Sequence, residues 1–254
     1  MSYRARATLF VSCCLLGGLL GGCATPGDEG TSEDPAVAEA SSAVKSCGVK
    51  TKPPTKSLVR KWTRWAMEEP WTTGPIKDPT GAACADGQEG HTWFLAGTTG
   101  GPVSRTCTIP RGKDLFFPLV NNWCVFPPEW YPDQASIEAD LPLYEQYYEE
   151  SRAATCSLTV KVDGQDVYAG GFSEMMEDLW VIEMDPFEVD LNEGDNFVSA
   201  YGVAGGEMPA TAAGHFARLK ALPPGDHVVE LGGSRCDGGD VYFETSATYH
   251  IHIN

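Results

Sequence analysis

The stretch HFARLKALPPGDHVVELGGSRCDGGDVYFETSATYHIHI, residues 215–253, decides the fold class. It holds three candidate strands, His215–Ala221, His227–Leu231 and Val241–Ile253, parted by Pro223-Pro224-Gly225 and Asp237-Gly238-Gly239. Proline presets one turn dihedral and glycine supplies positive φ, so both clusters punctuate the chain rather than continue it. In the last run Tyr249, Ile251 and Ile253 alternate with His250 and His252. A period of two places the apolar set on one face of a sheet and the histidines on the other.

Upstream the same signature recurs in Thr92–Ala96, Arg105–Ile109, Leu115–Val120, Ser157–Val162, Leu179–Met184 and Phe197–Tyr201. Thr98-Thr99-Gly100-Gly101, Asp163-Gly164 and Glu193-Gly194-Asp195 supply further turns. Only two stretches read as helices. Thr55 to Glu69 carries Leu58, Trp62, Trp65 and Ala66 at helical spacing, and Asp133 to Ala154 carries Tyr144, Tyr147 and Tyr148, interrupted at Pro142. Many short strands with few interleaved helices predict a mainly β fold, an antiparallel β-sandwich or jelly roll with one or two peripheral helices.

Composition agrees. The 254 residues are 42% hydrophobic and 21% charged, with 28 Gly and 18 Pro, an ordinary balance for a turn-rich globular chain. The formal net charge of −17 repels phosphate backbones, which argues against nucleic-acid binding through a broad basic face.

The N-terminus reads as an address. Arg4 and Arg6 precede an apolar run from Thr8 to Leu20, shorter than the ~20 residues a spanning helix needs. Small residues follow and end in Leu20-Gly21-Gly22-Cys23, which resembles the lipobox of bacterial lipoproteins. The resemblance implies a signal peptide over 1–22, cleavage before Cys23 and a lipid on that cysteine. An acidic flexible tether then spans 23–46, and a single domain spans 47–254. Ala24 follows the cysteine, and the resemblance then favours an outer membrane where the cell has one.

There are nine cysteines. Cys13 and Cys14 leave with the signal and Cys23 takes the lipid, so Cys47, Cys84, Cys107, Cys124, Cys156 and Cys236 remain. An even remainder in an exported chain predicts a disulfide-stapled domain. Sequence proximity favours Cys84–Cys107 and Cys124–Cys156, which leaves Cys47 for Cys236.

A second resemblance rests on Asp78-Pro-Thr-Gly81, Cys84, Gln88, Gly90, Trp93-Phe-Leu-Ala-Gly-Thr98, Arg105-Thr-Cys107, Pro110, Gly112-Lys113 and Leu115-Phe-Phe-Pro118. It continues through Gly214 and Leu222-Pro-Pro-Gly225 to His227. Together these are similar to a group of secreted bacterial β-sandwich proteins. The similarity implies an exported sandwich over roughly residues 60–254 and brings no activity with it.

Three constellations are candidates for chemistry. His250-x-His252 is half of a zinc or copper site, with His91, His215, Asp237 and Asp240 as further ligands; the alternative is a solvated polar face. Asp185, Glu188, Asp190, Asn192, Glu193 and Asp195 are candidate calcium ligands, as are Asp237 and Asp240. Asp78, Asp86, Gln88, Glu89 and His91, with Arg105 opposite, form either an acid–base cleft or an anchored turn. Trp71, Trp123, Trp130 and Tyr131 sit in loop-like, proline-rich surroundings and offer stacking surfaces for a glycan or peptide. Serine-esterase, zincin, P-loop and Rossmann motifs are absent.

The sequence therefore predicts a lipid-anchored cell-envelope protein. Its leading role is a non-catalytic binding or interaction module for a glycan or envelope protein, supported by calcium or zinc. The alternative is an envelope hydrolase or metalloenzyme built on the H-x-H pair and acidic partners.

Overall fold

The computed structural model describes residues 48–254. Cys23 and the segments expected as signal peptide and tether lie outside them. Three helices and nine strands follow in the order α1 (Lys56–Glu68), β1 (Thr92–Phe94), β2 (Gly101–Ile109), β3 (Asp114–Val125), α2 (Gln134–Ala153), β4 (Thr155–Val162), β5 (Gln165–Asp166), α3 (Gly171–Asp178), β6 (Trp180–Leu191), β7 (Gly206–Leu219), β8 (Gly225–Asp237) and β9 (Asp240–Ile253). One sheet has the order β1-β3-β7-β6 and the other β2-β9-β8-β4-β5. They face each other across a core of Leu115, Phe117, Leu119, Val160, Leu231, Tyr249 and Ile251.

The β-sandwich expectation holds, with one correction. Both sheets are mixed, because β1 runs parallel to β3 and β2 runs parallel to β9. Parallel neighbours cannot be joined by a tight hairpin, and here β1 and β3 are separated by the excursion through β2 in the other sheet, β2 and β9 by most of the domain.

Helix α1 makes a third layer. Its N-cap Thr55 accepts a hydrogen bond from Leu58 N, and Val59, Trp62, Trp65 and Ala66 turn one face into the sheet beneath. There they meet Phe116, Phe216, Ala210 and Val189, with Phe116 stacked on Phe216 at 5.4 Å. The fully buried Glu183 of β6 receives Arg60 Nε at 2.7 Å and fixes the helix's position. Helix α2 runs through Pro142 without interruption and seats Tyr144 and Tyr148 against Phe126 and Ala213. α3 is a third helix that sequence periodicity does not announce. Phe197–Tyr201, an expected strand, is instead part of the β6–β7 loop, held by Asn196, whose side chain bonds Asn192 O, Ala204 O and Val198 N.

Cys84 and Cys107 are joined as the local pairing predicts. The other expected pairs are corrected, since Cys156 bonds Cys236. The β4–β8 ladder sets Thr155 opposite Arg235 and Ser157 opposite Ser234, so Cys156 and Cys236 meet at the bulge between them. Cys124 lies on the other sheet, buried beside Phe126 and Tyr148, and belongs to neither bridge. Cys47 lies outside the described residues.

The Asp78–His91 segment is an anchored turn, not an acid–base cleft. Asp78 accepts from Thr80 N, Thr80 Oγ1 and Ala83 N. Burial alone would raise its carboxyl, but these hydrogen bonds outweigh burial and hold it below the usual carboxylate range. Gly81 has φ +92°, and a Cβ there would run into the Thr106 carbonyl, so the turn can lie flat on β2 only with glycine. Gln88 is consumed in pinning β1 to the turn, through Cys84 O and both backbone groups of Phe94. Asp86, Glu89 and His91 are exposed.

Arg105 supplies the anchor, through carbonyl oxygens rather than a carboxylate. It is 2% exposed and donates to Asp78 O (2.7 Å), Ile76 O (3.0 Å), Ala96 O (2.8 Å), Gly97 O (3.1 Å) and Tyr249 Oη (2.8 Å). Tyr249 Oη in turn donates to Ala96 O and accepts from Ala96 N. Arg105→Met should leave several buried carbonyls without a donor and lower stability by about 3 kcal/mol or more in urea unfolding. Tyr249→Phe should lose about 1–2 kcal/mol. A loss below about 1 kcal/mol for Arg105→Met would show that the hub is not a principal tie.

Candidate functional site

Strand β1 is only three residues long. It pairs Thr92–Phe94 with Asp114–Phe116, adds one bond from Leu95 N to Phe116 O, and then departs. Arg105 takes the carbonyls of Ala96 and Gly97, and Thr98 to Gly101 carries the chain across to the other sheet. Beyond Phe116, β3 therefore has β7 on one side and no strand on the other.

A cleft of about 200 Å³ opens along that bare edge. On the α1 side its wall is aromatic: Trp62, Trp71, Trp123 and Phe197. Trp123 lies 5.7 Å from Trp62 and 6.0 Å from Phe197, and Trp71 lies 5.8 Å from Phe197. Trp62 is sealed as the floor, its indole N–H bonded to Leu95 O, whereas Trp71 and Trp123 are half-buried, with Lys77 Nζ lying 5.0 Å over the Trp71 ring. Opposite stand Asn122, Arg235 and Thr245, with Tyr242 at the mouth, 49% exposed.

The polar wall is ordered from within. Asn122 Oδ1 accepts from Arg235 at 3.0 Å and from Tyr147 Oη at 3.3 Å. Its amide Nδ2 is buried and has no acceptor among the described residues, a donor that costs ~1–3 kcal/mol while unsatisfied. Arg235 is buried over the ring of Phe243 at 5.7 Å. The cleft thus offers flat apolar faces on one side and a fixed array of amide and guanidinium donors on the other.

Of the expected aromatic platform, Trp123 reaches the cleft with Trp71. Trp130 packs against the cluster under α1. Tyr131 packs edge-on to Phe126 at 5.1 Å and bonds Tyr144 Oη and Asp140. Burial pushes its phenol up to about 12, so it remains a neutral structural group. Arg235, Asn122 and the β8–β9 hairpin are site residues that no local motif marks. Asn122 stands on β3 beside Trp123, whereas Arg235 and the hairpin come from the other sheet, and only the packing of the two sheets brings them together.

The candidate metal ligands are not brought together. His250 and His252 do share the exposed face while Tyr249, Ile251 and Ile253 are buried. Their neighbours on β2 are Thr106 and Thr108, and on β8 Val228 and Asp226. Asp226 Oδ1 sits 2.6 Å from His252 Nδ1. Asp237 and Asp240 close the hairpin at the opposite end of the same ladder, about 30 Å away at ~3.3 Å per residue. His91 is exposed elsewhere, and His215 is wholly buried. In the acidic span, Asp185 lies 3.6 Å from Arg60 and Asp195 is held by Thr72. Among the described residues no three His, Cys, Asp or Glu converge as a metal site.

No family model matches the chain, and no curated protein matches it in sequence. Among solved structures it is similar to the cysteine protease inhibitor EhICP2 from Entamoeba histolytica, at 12% identity and TM-score 0.21, over 59% of this chain and 86% of that one. It is also similar to Amebosin, at 10% identity and TM-score 0.19, over 60% and 96%. At these values neither likeness bears on the site.

His215 lies between Val120 of β3 and Trp180 of β6, its ring 5.0 Å from that of Trp180. Burial first, then the charges of Arg152 and Arg235, lower its pKa to about 3. An unfolded histidine takes a proton near 6.5, so between pH 6.5 and 3 the unfolded state binds the extra proton. Stability should therefore fall on acidification below pH 6.5, by about 1.4 kcal/mol per pH unit from this group. His215→Leu should flatten that slope in denaturant titrations at pH 6, 5 and 4. An unchanged slope would show that other groups set acid stability.

Proposed function

We propose that this chain is a lipid-anchored cell-envelope protein whose domain binds a saccharide in the cleft beside β3. The observation that carries the reading is the pairing of half-buried Trp123 and Trp71, the latter with Lys77 over its ring, with Asn122 and Arg235 across one concavity. A pyranose ring has apolar C–H faces and a rim of hydroxyls. The faces stack on indoles, and the rim accepts from amide and guanidinium donors. The buried Asn122 Nδ2 is the donor such a hydroxyl would satisfy. Export and acylation at Cys23 are supported by the N-terminal pattern and agree with the two disulfides, since such bonds persist in oxidising compartments. No described helix is long and apolar enough to cross a membrane.

The metalloenzyme alternative loses support. Its histidines and acidic partners stand at opposite ends of one ladder.

Titration of the intact protein with envelope oligosaccharides should change tryptophan fluorescence, with affinity that Trp123→Ala weakens at least about tenfold, measured under conditions where an unfolding curve shows that the destabilised variant is still fully folded. Asn122→Leu should weaken binding about as much. Saturable binding that Trp123→Ala leaves intact would place the ligand elsewhere. No response to any envelope glycan, with an isolated envelope protein bound instead, would replace the saccharide reading.

A further inference from the structure

The chain carries 18 lysines and arginines against 35 acidic residues, yet its cations are not spread evenly. Lys50, Lys52, Arg111, Lys113, Arg218 and Lys220 fall in three short segments, 50–52, 111–114 and 218–220, and Asp114 is the single carboxylate in them. The fold gathers these segments at one end. Thr51 bridges Leu219, Lys52 N bonds Arg218 O and Lys220 N bonds Lys50 O, so the entering chain lies beside the end of β7. On the other side of β7, Leu219 is opposite Leu115, next to Asp114.

Alternation along both paired segments puts Lys50, Lys52, Arg218 and Lys220 on one face. Asp114 Oδ2 receives Lys52 Nζ at 2.8 Å and Arg218 at 3.1 Å, while Oδ1 accepts from Ala221 N. Asp114 thus pairs with Lys52 and Arg218, whereas Lys50, Arg111 and Lys220 form no ion pair among the described residues; the acids of the other sheet at this end, Asp163 and Asp226, face His227 and His252. Lys52, beside Lys220, holds the Lys220 ammonium below the usual lysine range, a sign of how closely these cations are crowded. Lys50, Arg111 and Lys220 are exposed.

Two further facts select the partner. The polypeptide enters the described domain at this same end, from the side of the sequence that holds Cys23. The cleft at Trp123 lies nine residues further along β3, about 30 Å away at ~3.3 Å per residue. That is several Debye lengths at physiological salt, ~8 Å each, so acidic groups at the far end hardly weaken attraction at the base.

We propose that the Lys50/Lys52/Arg111/Lys113/Arg218/Lys220 end is a docking face for an anionic phospholipid surface, which sets the domain upright on its membrane with the cleft directed away. The inference rests on the reading of Cys23 as the acylated residue. Anchor and patch are two separate signals, one apolar and one electrostatic.

The test uses the intact chain reconstituted in vesicles of phosphatidylglycerol or of phosphatidylcholine. An amine-acylating reagent is added, and the modification of each lysine is followed by mass spectrometry. Lys50 and Lys220 should react about fivefold more slowly on phosphatidylglycerol, the difference vanishing in 1 M NaCl at about that ionic strength's ~3 Å screening length. Lys77, hydrogen-bonded to Thr99 at the cleft end, should react equally on both. Equal rates for Lys50 and Lys220 on the two membranes would overturn the proposal, as would equal protection by inorganic phosphate without vesicles, which would indicate a small-anion site.

A second variant guards against a fortuitous footprint. In Lys50→Gln/Arg111→Gln/Lys220→Gln, all at exposed positions, Lys52 and Lys113 should lose their protection; retained protection would overturn the proposal. Flotation with phosphatidylcholine vesicles in 1 M NaCl reads the acyl anchor by itself. A chain that fails to float there lacks the anchor. Low-salt flotation with phosphatidylglycerol then tests the patch alone, with affinity expected to fall about 100-fold in the triple variant.

Discussion

A guanidinium sealed between two sheets must find acceptors in a fixed geometry, and most of the architecture is arranged around that requirement. Arg105 collects the carbonyls of Ile76, Asp78, Ala96 and Gly97 and the hydroxyl of Tyr249. Through one side chain the turn after α1, the end of β1, edge strand β2 and the centre of β9 are tied together. Arginine is suited to the task because its fork of donors is rigid and its charge is weakly hydrated. The same bonds hold Ala96 and Gly97 as the chain leaves β3, so they also position the rim of the cleft. Stability and site geometry share a cause here.

How much of this was legible in the sequence depends on whether the signal is local. Side-chain parity is local, and the alternation of Tyr249, Ile251 and Ile253 with the two histidines is correctly read. The helix from Thr55, the turn at Asp78-Pro-Thr-Gly81 and the Cys84–Cys107 bridge are likewise near-neighbour features. Pairing direction is not local. Nothing in Gly101–Ile109 says that it will lie parallel to residues 245–253. The Cys156–Cys236 bridge follows from the β4–β8 register, which sequence proximity does not encode. Phe197–Tyr201 has strand-like residues but lies in a loop organised by Asn196, where side-chain hydrogen bonds to the backbone override the pattern.

The site follows the same division. Trp123 was visible as an aromatic in loop-like surroundings, and the cleft does use it. Trp130 and Tyr131 carry the same composition signal and are also half-buried, but they pack against their clusters away from the cleft, because aromatic content alone does not reveal which ring borders a concavity. Asn122 and Arg235 come together from opposite sheets and have no common motif. The H-x-H pair shows the converse: spacing correctly places both rings on one face, but ligands for a metal must also converge in three dimensions, and the ladder carries Asp237 and Asp240 far from them.

The shortness of β1 has a consequence for solubility. A sheet edge left bare presents backbone groups that any other extended chain can recruit, and self-association is the usual outcome. Here the run of β3 without a second neighbouring strand contains Pro118, which has no N–H to offer, and the register slips between Pro118 and Val120. Asn121 and Asn122 follow, polar residues of low strand propensity. The edge along which the cleft opens is therefore also guarded against its own copies. Evolution of a tighter site along this strand is constrained, since a run of better strand formers would deepen contacts and invite aggregation together.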